Sequence, residues 1–204
     1  MSLDNFKKSL LQINYQKVSN DNYLKLFDLQ SPLPLDDNSV LESKIQFDLE
    51  HENYDLATSL EMYETLSGSN SDRYQYMLPT YNFSKNFNLK NIEGAFNYNS
   101  YGNNTLNDTN VFTSILLNDL NYSALSKFFD NGIKTNFEVA LKNTNIVGKN
   151  NPKYKNSPQS ELMSAYTYNA SLPLIKKNST TFNTLEPKLS LRFSPHEMKN
   201  NSNE

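Results

Sequence analysis

The chain of 204 residues has no cysteine, no tryptophan, only five glycines and only two histidines. Without cysteine there is no disulfide framework and no thiolate redox or metal centre, although the compartment stays open. No run of 18 or more apolar residues occurs, which excludes a transmembrane helix. Residues 1–11 carry Asp4, Lys7 and Lys8 and lack an apolar core, so no secretory signal peptide is read there. Lysine and arginine total 19 against 22 acidic residues, a net charge of −3. A nucleic-acid groove needs concentrated cations, and none is expected. Mean hydropathy is low, at −0.69. Yet 13 tyrosines, 12 phenylalanines and a regular apolar pattern argue against disorder. About one residue in six is asparagine, well above ordinary usage.

What is present is alternation with a period of two, the pattern of a strand with unlike faces. Leu11, Ile13 and Tyr15 alternate with Gln12, Asn14 and Gln16 in a stretch read as 11–18. Leu41, Ile45, Phe47 and Leu49 oppose Glu42, Lys44, Gln46, Asp48 and Glu50. After a short break at 51–53, Tyr54, Leu56, Leu60 and Met62 oppose Asp55, Ser59 and Glu61, so a tight hairpin is expected. Tyr74, Tyr76 and Leu78 begin the next stretch. Pro79 cannot donate to a ladder, so a bulge or change of face is expected before Tyr81 and Phe83 resume the apolar set. A further strand is read around Ile92, Phe96 and Tyr98; the run 111–120 is continuously apolar enough to suit helix or strand and is read as a strand because its neighbours are strands. Asp130, Asn131 and Gly132 form a turn signal ahead of Ile133, Thr135, Phe137, Val139 and Leu141. Leu162, Tyr166, Tyr168 and Leu172 make another strand, and Leu185, Pro187, Leu189, Leu191 and Phe193 the last. The sum is roughly nine strands, many of about ten residues, the length a tilted strand needs to cross a bilayer.

An antiparallel sandwich alternates as well as a membrane barrel does. The linkers favour the barrel. They read as long (19–39), short (51–53), medium (67–73), short (85–90), medium (101–109), medium (121–131), long (147–160) and short (175–181). Long and short connections taking turns are expected where one rim is constrained. Tyr15, Tyr54, Tyr74, Tyr76, Tyr98 and Tyr166 lie near strand ends and fit interfacial girdles, the less favoured alternative being that the rings fill a soluble core. Faces as charged as Glu42, Lys44, Asp48 and Glu50 must stay hydrated, on a lumen or on bulk solvent.

Catalytic and metal chemistry find no foothold. His51 and His196 are far apart in sequence, whereas a metal site needs convergent ligands. The pairs Asp48 and Glu50, or Glu61 and Glu64, carry no signal of an acid-base dyad. No nucleophile elbow, phosphate loop or HExxH motif occurs. Neither enzymatic activity nor a cofactor is expected.

Three segments carry a family resemblance. INYQKVSNDNYLKLFD, with Tyr15, Lys17, Val18, Ser19, Asp21, Tyr23, Phe27 and Asp28, resembles a segment of the lipopolysaccharide-assembly outer-membrane protein LptD, also called organic solvent tolerance protein. YQYMLPTYNF, with Tyr76, Leu78 and Pro79, is similar to a later strand entry of that family. TLEPKLSLRFSP, with Leu185, Glu186, Pro187 and Pro195, is similar to another, and the tail Asn200–Glu204 sits where the family has an Asn- and Asp-rich loop.

The resemblance implies an all-β antiparallel up-and-down meander, with residues 1–204 forming a segment of a large transmembrane β-barrel. That barrel inserts lipopolysaccharide into the outer leaflet of a Gram-negative outer membrane. The implied partners are lipopolysaccharide, a plug lipoprotein, the barrel-assembly machinery and a periplasmic lipopolysaccharide bridge. The bridge would engage an N-terminal jelly roll not found in this chain. The abrupt start and loop-like tail fit a partial gene product, with the strands of the lateral exit outside it. No gate residue is carried over. Lumen-lining candidates are Gln46, Asp48, Lys134, Glu138, Lys188 and Arg192, acting collectively through charge and hydrogen bonding. The basic stretch 148–155 offers Lys149, Lys153 and Lys155 as outer-rim contacts for lipid phosphates. Two other readings stay open: a different outer-membrane porin or receptor barrel, and a soluble extracellular β-sandwich for glycan binding or adhesion.

Overall fold

The computed structural model describes residues 5–22, 39–67, 72–87, 92–108, 110–178 and 181–196. Twelve strands occur among them. They are β1 (Lys8–Asn14), β2 (Val40–Glu50), β3 (Tyr54–Thr65), β4 (Tyr74–Phe87), β5 (Gly94–Asn107), β6 (Val111–Ala124), β7 (Lys127–Phe128), β8 (Lys134–Lys149), β9 (Gln159–Ser171), β10 (Leu174–Lys177), β11 (Phe182–Leu185) and β12 (Lys188–Phe193). One sheet runs in the order β1-β2-β3-β4-β5-β6-β8-β9-β12, with β7 paired to β8, and every pairing is antiparallel. Strands β10 and β11 form a separate hairpin. Every contact between elements joins strands that neighbour one another in a sheet, so the described residues form a single layer. Among the described residues β1 and β12 have one neighbour each, and the sheet is open rather than closed into a barrel.

Cross-strand partners share a face, so the register sorts the side chains. Ile13, Ile45 and Leu60 lie on one side, as do Leu49, Leu56 and Phe83. Gln12, Gln46 and Ser59 lie on the other, with Asn14, Lys44 and Glu61. The two sides are called the apolar and polar faces below. The apolar face carries a chain of rings from Phe6 to Tyr54 (6.0 Å between centroids), Phe83 (6.2 Å) and Tyr98 (6.2 Å), with Phe96 against Tyr122 at 4.5 Å. Nothing described covers it. Among the described residues the buried apolar ones are Leu41, Leu66 and Ala165, while Leu11, Ile45, Leu60, Leu189 and Leu191 are exposed.

Local chemistry explains the turns. His51 N–H donates to the Tyr54 carbonyl at 2.9 Å to close the tight β2–β3 hairpin, and its ring stacks on Tyr54 at 4.6 Å. Gly132 adopts φ +82°, which glycine takes without a Cβ penalty. Its N–H donates to the Phe129 carbonyl at 2.9 Å. At Leu78 and Pro79 the register slips. Met77 faces Glu61 and Thr80 faces Ser59, so two residues of β4 stand against Leu60 alone. Tyr74 and Tyr76 precede this bulge at even positions and Tyr81 and Phe83 follow at odd ones, yet all four share the apolar face.

The structure corrects several sequence boundaries. The first strand spans Lys8–Asn14 rather than 11–18, leaving Tyr15 beyond its end. Residues 101–107, expected as a linker, belong to β5: all of them pair with β6, and all but Asn104 and Asn107 pair with β4 as well. Of the expected short loop at 175–181, residues 175–177 belong to β10 and pair with β11, and Leu185 belongs to β11 rather than to the last strand. The alternation of linker lengths goes with them. One end of the sheet has connections 15–39, 66–73, 108–110 and 150–158, and the other has 51–53, 88–93, 125–133 and 172–187. Each end mixes short and long. Tyr23, Phe27 and Asp28, much of the 67–73 turn, residues 88–91 and the tail Asn200–Glu204 lie outside the described residues.

Candidate functional site

The polar face is organised by cross-strand pairs. On β2 the Gln46 side-chain amide donates to both Asp48 carboxylate oxygens, at 2.8 and 3.0 Å. One rung away Lys44 and Glu61 are register partners and an ion pair at 3.1 Å. Glu61 also accepts from Ser59 Oγ at 2.8 Å and Tyr63 OH at 2.8 Å. Lys44, Asp48 and Glu61 therefore each have a partner that lowers the cost of holding a charge in a half-buried row.

A second group gathers on β8, β9 and β12. Lys134, Ser171 and Lys188 form one rung, and Glu138, Thr167 and Arg192 another, all on the polar face. Between them Asn169 donates to Glu138 at 3.4 Å and accepts from Ser190 Oγ at 2.7 Å. Lys188 lies 3.2 Å from Glu186. Its hydrogen bond, with one from Ser171, holds the Glu186 carboxyl below the usual carboxylate range. Lys134, Glu138, Asn169, Ser171, Lys188 and Ser190 line a depression of about 370 Å³.

All six lumen candidates thus fall on one face, in two groups. Gln46 and Asp48 are separated from Lys134 and Glu138 by β3 to β6, about 24 Å at the usual strand spacing. The rim candidates sit together at the β8–β9 connection. Lys149 ends β8, Lys153 N–H donates to Asn151 Oδ1 at 2.9 Å, and the Lys155 carbonyl accepts from Gly148 N–H at 3.0 Å. At the same end of the sheet Arg73 pairs with Asp21, and with Glu64 at 2.8 Å.

The sequence pattern did not expose a third feature, a hydrogen-bonded polar stripe on the apolar face. Tyr98 OH and Ser100 Oγ donate to Asn118 Oδ1 at 2.8 and 2.9 Å, and Tyr81 OH and Ser100 Oγ are 3.2 Å apart. Asn118 donates to Asn143 Oδ1 at 3.3 Å, as does Asn145 at 2.5 Å, and Asn143 donates to the Glu161 carbonyl at 3.2 Å. The stripe joins β4 to β9 and satisfies most of its polar groups internally. Behind it, Ile115, Leu117 and Ile146 occupy the polar face. The only sequence signal was that 111–120 lacks clean alternation.

Fold and surface together define a class: a single-layered antiparallel meander with chemically unlike faces. No protein-family model matches the chain, and no curated protein matches its sequence.

Proposed function

We propose that this sheet is a section of the wall of an outer-membrane β-barrel of the lipopolysaccharide-translocon kind, a non-enzymatic transport role. One observation carries the reading. The apolar face of a nine-stranded single layer is uncovered among the described residues, with Ile13, Leu189, Leu191 and Phe193 more than 60% exposed. Acyl chains would cover such a face, and water in a pore would hydrate the opposite one. Gln46, Asp48, Lys134, Glu138, Lys188 and Arg192 then line the path of the saccharide. Lys149, Lys153 and Lys155 meet lipid phosphates at the rim. The partners are lipopolysaccharide, a plug lipoprotein, the barrel-assembly machinery and, through a further domain, a periplasmic bridge.

One observation favours a second reading, a soluble extracellular β domain. The Asn118–Asn143–Asn145 stripe places amides where acyl chains would lie. A chain without cysteine permits clean single-site labelling that separates the two. Spin labels at Leu49, Phe83 and Leu191 on the apolar face should collide freely with oxygen and poorly with a water-soluble nickel chelate. Labels at Gln46, Glu138 and Ser190 should do the reverse. Apolar-face labels shielded from both reagents mark a dry protein interior and overturn the barrel-wall reading.

A further inference from the structure

The edge strand β12 is built like an interior strand. Leu189, Leu191 and Phe193, on its apolar side, are 62%, 61% and 64% exposed. The Leu172 N–H donates to the Pro187 carbonyl at 3.1 Å, in register with the Lys188–Ser171 pair. In an antiparallel ladder alternate residues direct both backbone groups to the same neighbour. Pro187, Leu189, Leu191 and Phe193 therefore turn toward β9, and the N–H and C=O groups of Lys188, Ser190 and Arg192 turn outward. Among the described residues no strand pairs with them. No proline and no bulge interrupts residues 188–193, so the edge lacks two of the devices that block pairing.

Charge decides what fits there. Lys188 is held by Glu186, whereas Arg192 makes no ion pair among the described residues. β12 carries no carboxylate, and the other edge strand, β1, sets Lys8, Leu10, Gln12 and Asn14 on the polar face. Either edge of a second copy would thus gather cations on one face with no carboxylate between them, and like charges in opposed positions destabilise a strand pair.

We propose that β12 accepts a further antiparallel strand. Its apolar side chains extend the row of Leu189, Leu191 and Phe193, and its alternate positions bear a carboxylate opposite Arg192. This goes beyond the translocon reading and does not depend on it, since only the edge and its charge are used.

The test uses the whole chain in detergent micelles, with a synthetic peptide of alternating leucine and aspartate as probe and its leucine–lysine counterpart as control. The aspartate peptide should slow amide exchange at Lys188, Ser190 and Arg192 by roughly tenfold or more, a local protection that pairing confers. Opposed charge pairs should make the lysine peptide bind roughly tenfold more weakly, and Arg192→Gln should narrow that gap. Ser190→Pro removes an outward donor without touching a bond to β9, and should abolish binding. If Ser190→Pro fails to fold, the exchange measurement on the unaltered chain decides alone. Unchanged exchange at the three outward amides, or equal binding of the two peptides, overturns the proposal. Neither outcome bears on whether the apolar face meets lipid.

Discussion

A methyl group at position 102 would collide with the ring of Tyr81, which lies across Gly102 from the neighbouring strand. An aromatic ring covering a cross-strand glycine pins register while filling the space that the missing side chain leaves. Gly102→Ala should cost about 1–3 kcal/mol by overpacking. Tyr81→Ala should remove most of that cost, so a double-mutant cycle by denaturant titration in detergent should show strong coupling. Additive effects would mean that the ring is not packed there. A second residue gives a pH signature. Glu186 is held below its ordinary value of 4.5 mainly by the hydrogen bond from Lys188 and then by that from Ser171. A depressed carboxyl contributes stability that is fully present above 4.5 and is lost as pH falls through the lower folded value. Because the group is solvent-exposed, the effect belongs in its own titration rather than in global stability. Carboxyl NMR should place the Glu186 midpoint on the acid side of 4.5, and Lys188→Ala should bring it back up. An unmoved midpoint would remove the ion pair from the account.

Strands β2 and β3 and the first half of β8 were legible because apolar and polar residues alternate along most of their length. Phe47 to Glu50 and Lys134 to Leu141 sort by parity alone, and the structure sorts them the same way. The six polar-face candidates share that clarity. β5 was misread because Asn103, Asn104 and Asn107 look like loop residues. In the sheet all three pair with β6, Asn103 also pairs with Thr80 of β4, and Asn104 accepts from Ser114 Oγ at 2.6 Å. Tertiary pairing outweighs local propensity there. The stripe through Asn118 and Asn143 was hidden for a different reason: apart from the Asn145–Asn143 bond within β8, its hydrogen bonds join different strands, and no single strand records them. The bulge at Leu78 and Pro79 was legible, and it has an element-level consequence. Two residues stand against Leu60 on one side and Asn104 on the other, so deleting Pro79 leaves one residue per rung and preserves the face of Tyr81 and Phe83. That deletion should fold, with a stability change within about 1 kcal/mol. Deleting Asn82 instead shifts parity without a bulge to absorb it and should turn Phe83 to the polar face, preventing folding. Thermal melts of the two variants compare them directly, and equal damage from both would deny the bulge its register-setting role.

With only Leu41, Leu66 and Ala165 as buried apolar residues, the described sheet has no interior of its own to stabilise it in water, and a lone sheet depends on something to cover its apolar face. Strand signal in circular dichroism should therefore develop on adding detergent, and dilution out of denaturant into plain buffer should give aggregates. Topology adds a sharper constraint. Nine strands connected in sequence alternate in direction, so β1 and β12 run the same way. Joining them would create one parallel pair in an otherwise antiparallel sheet. A barrel antiparallel throughout needs an odd number of added strands between these edges, with apolar residues continuing the rows of Ile13 and Leu191. The chain alone, folded in detergent, should then run at one mobility whether or not it is boiled, because an open sheet has no closed barrel to resist unfolding by the gel detergent. Cysteines placed at Gln12 and Ser190, the only two in the chain, should form no intramolecular disulfide under oxidation. A faster unboiled band together with that cross-link would show the nine strands closing on themselves, and the requirement for added strands would fall.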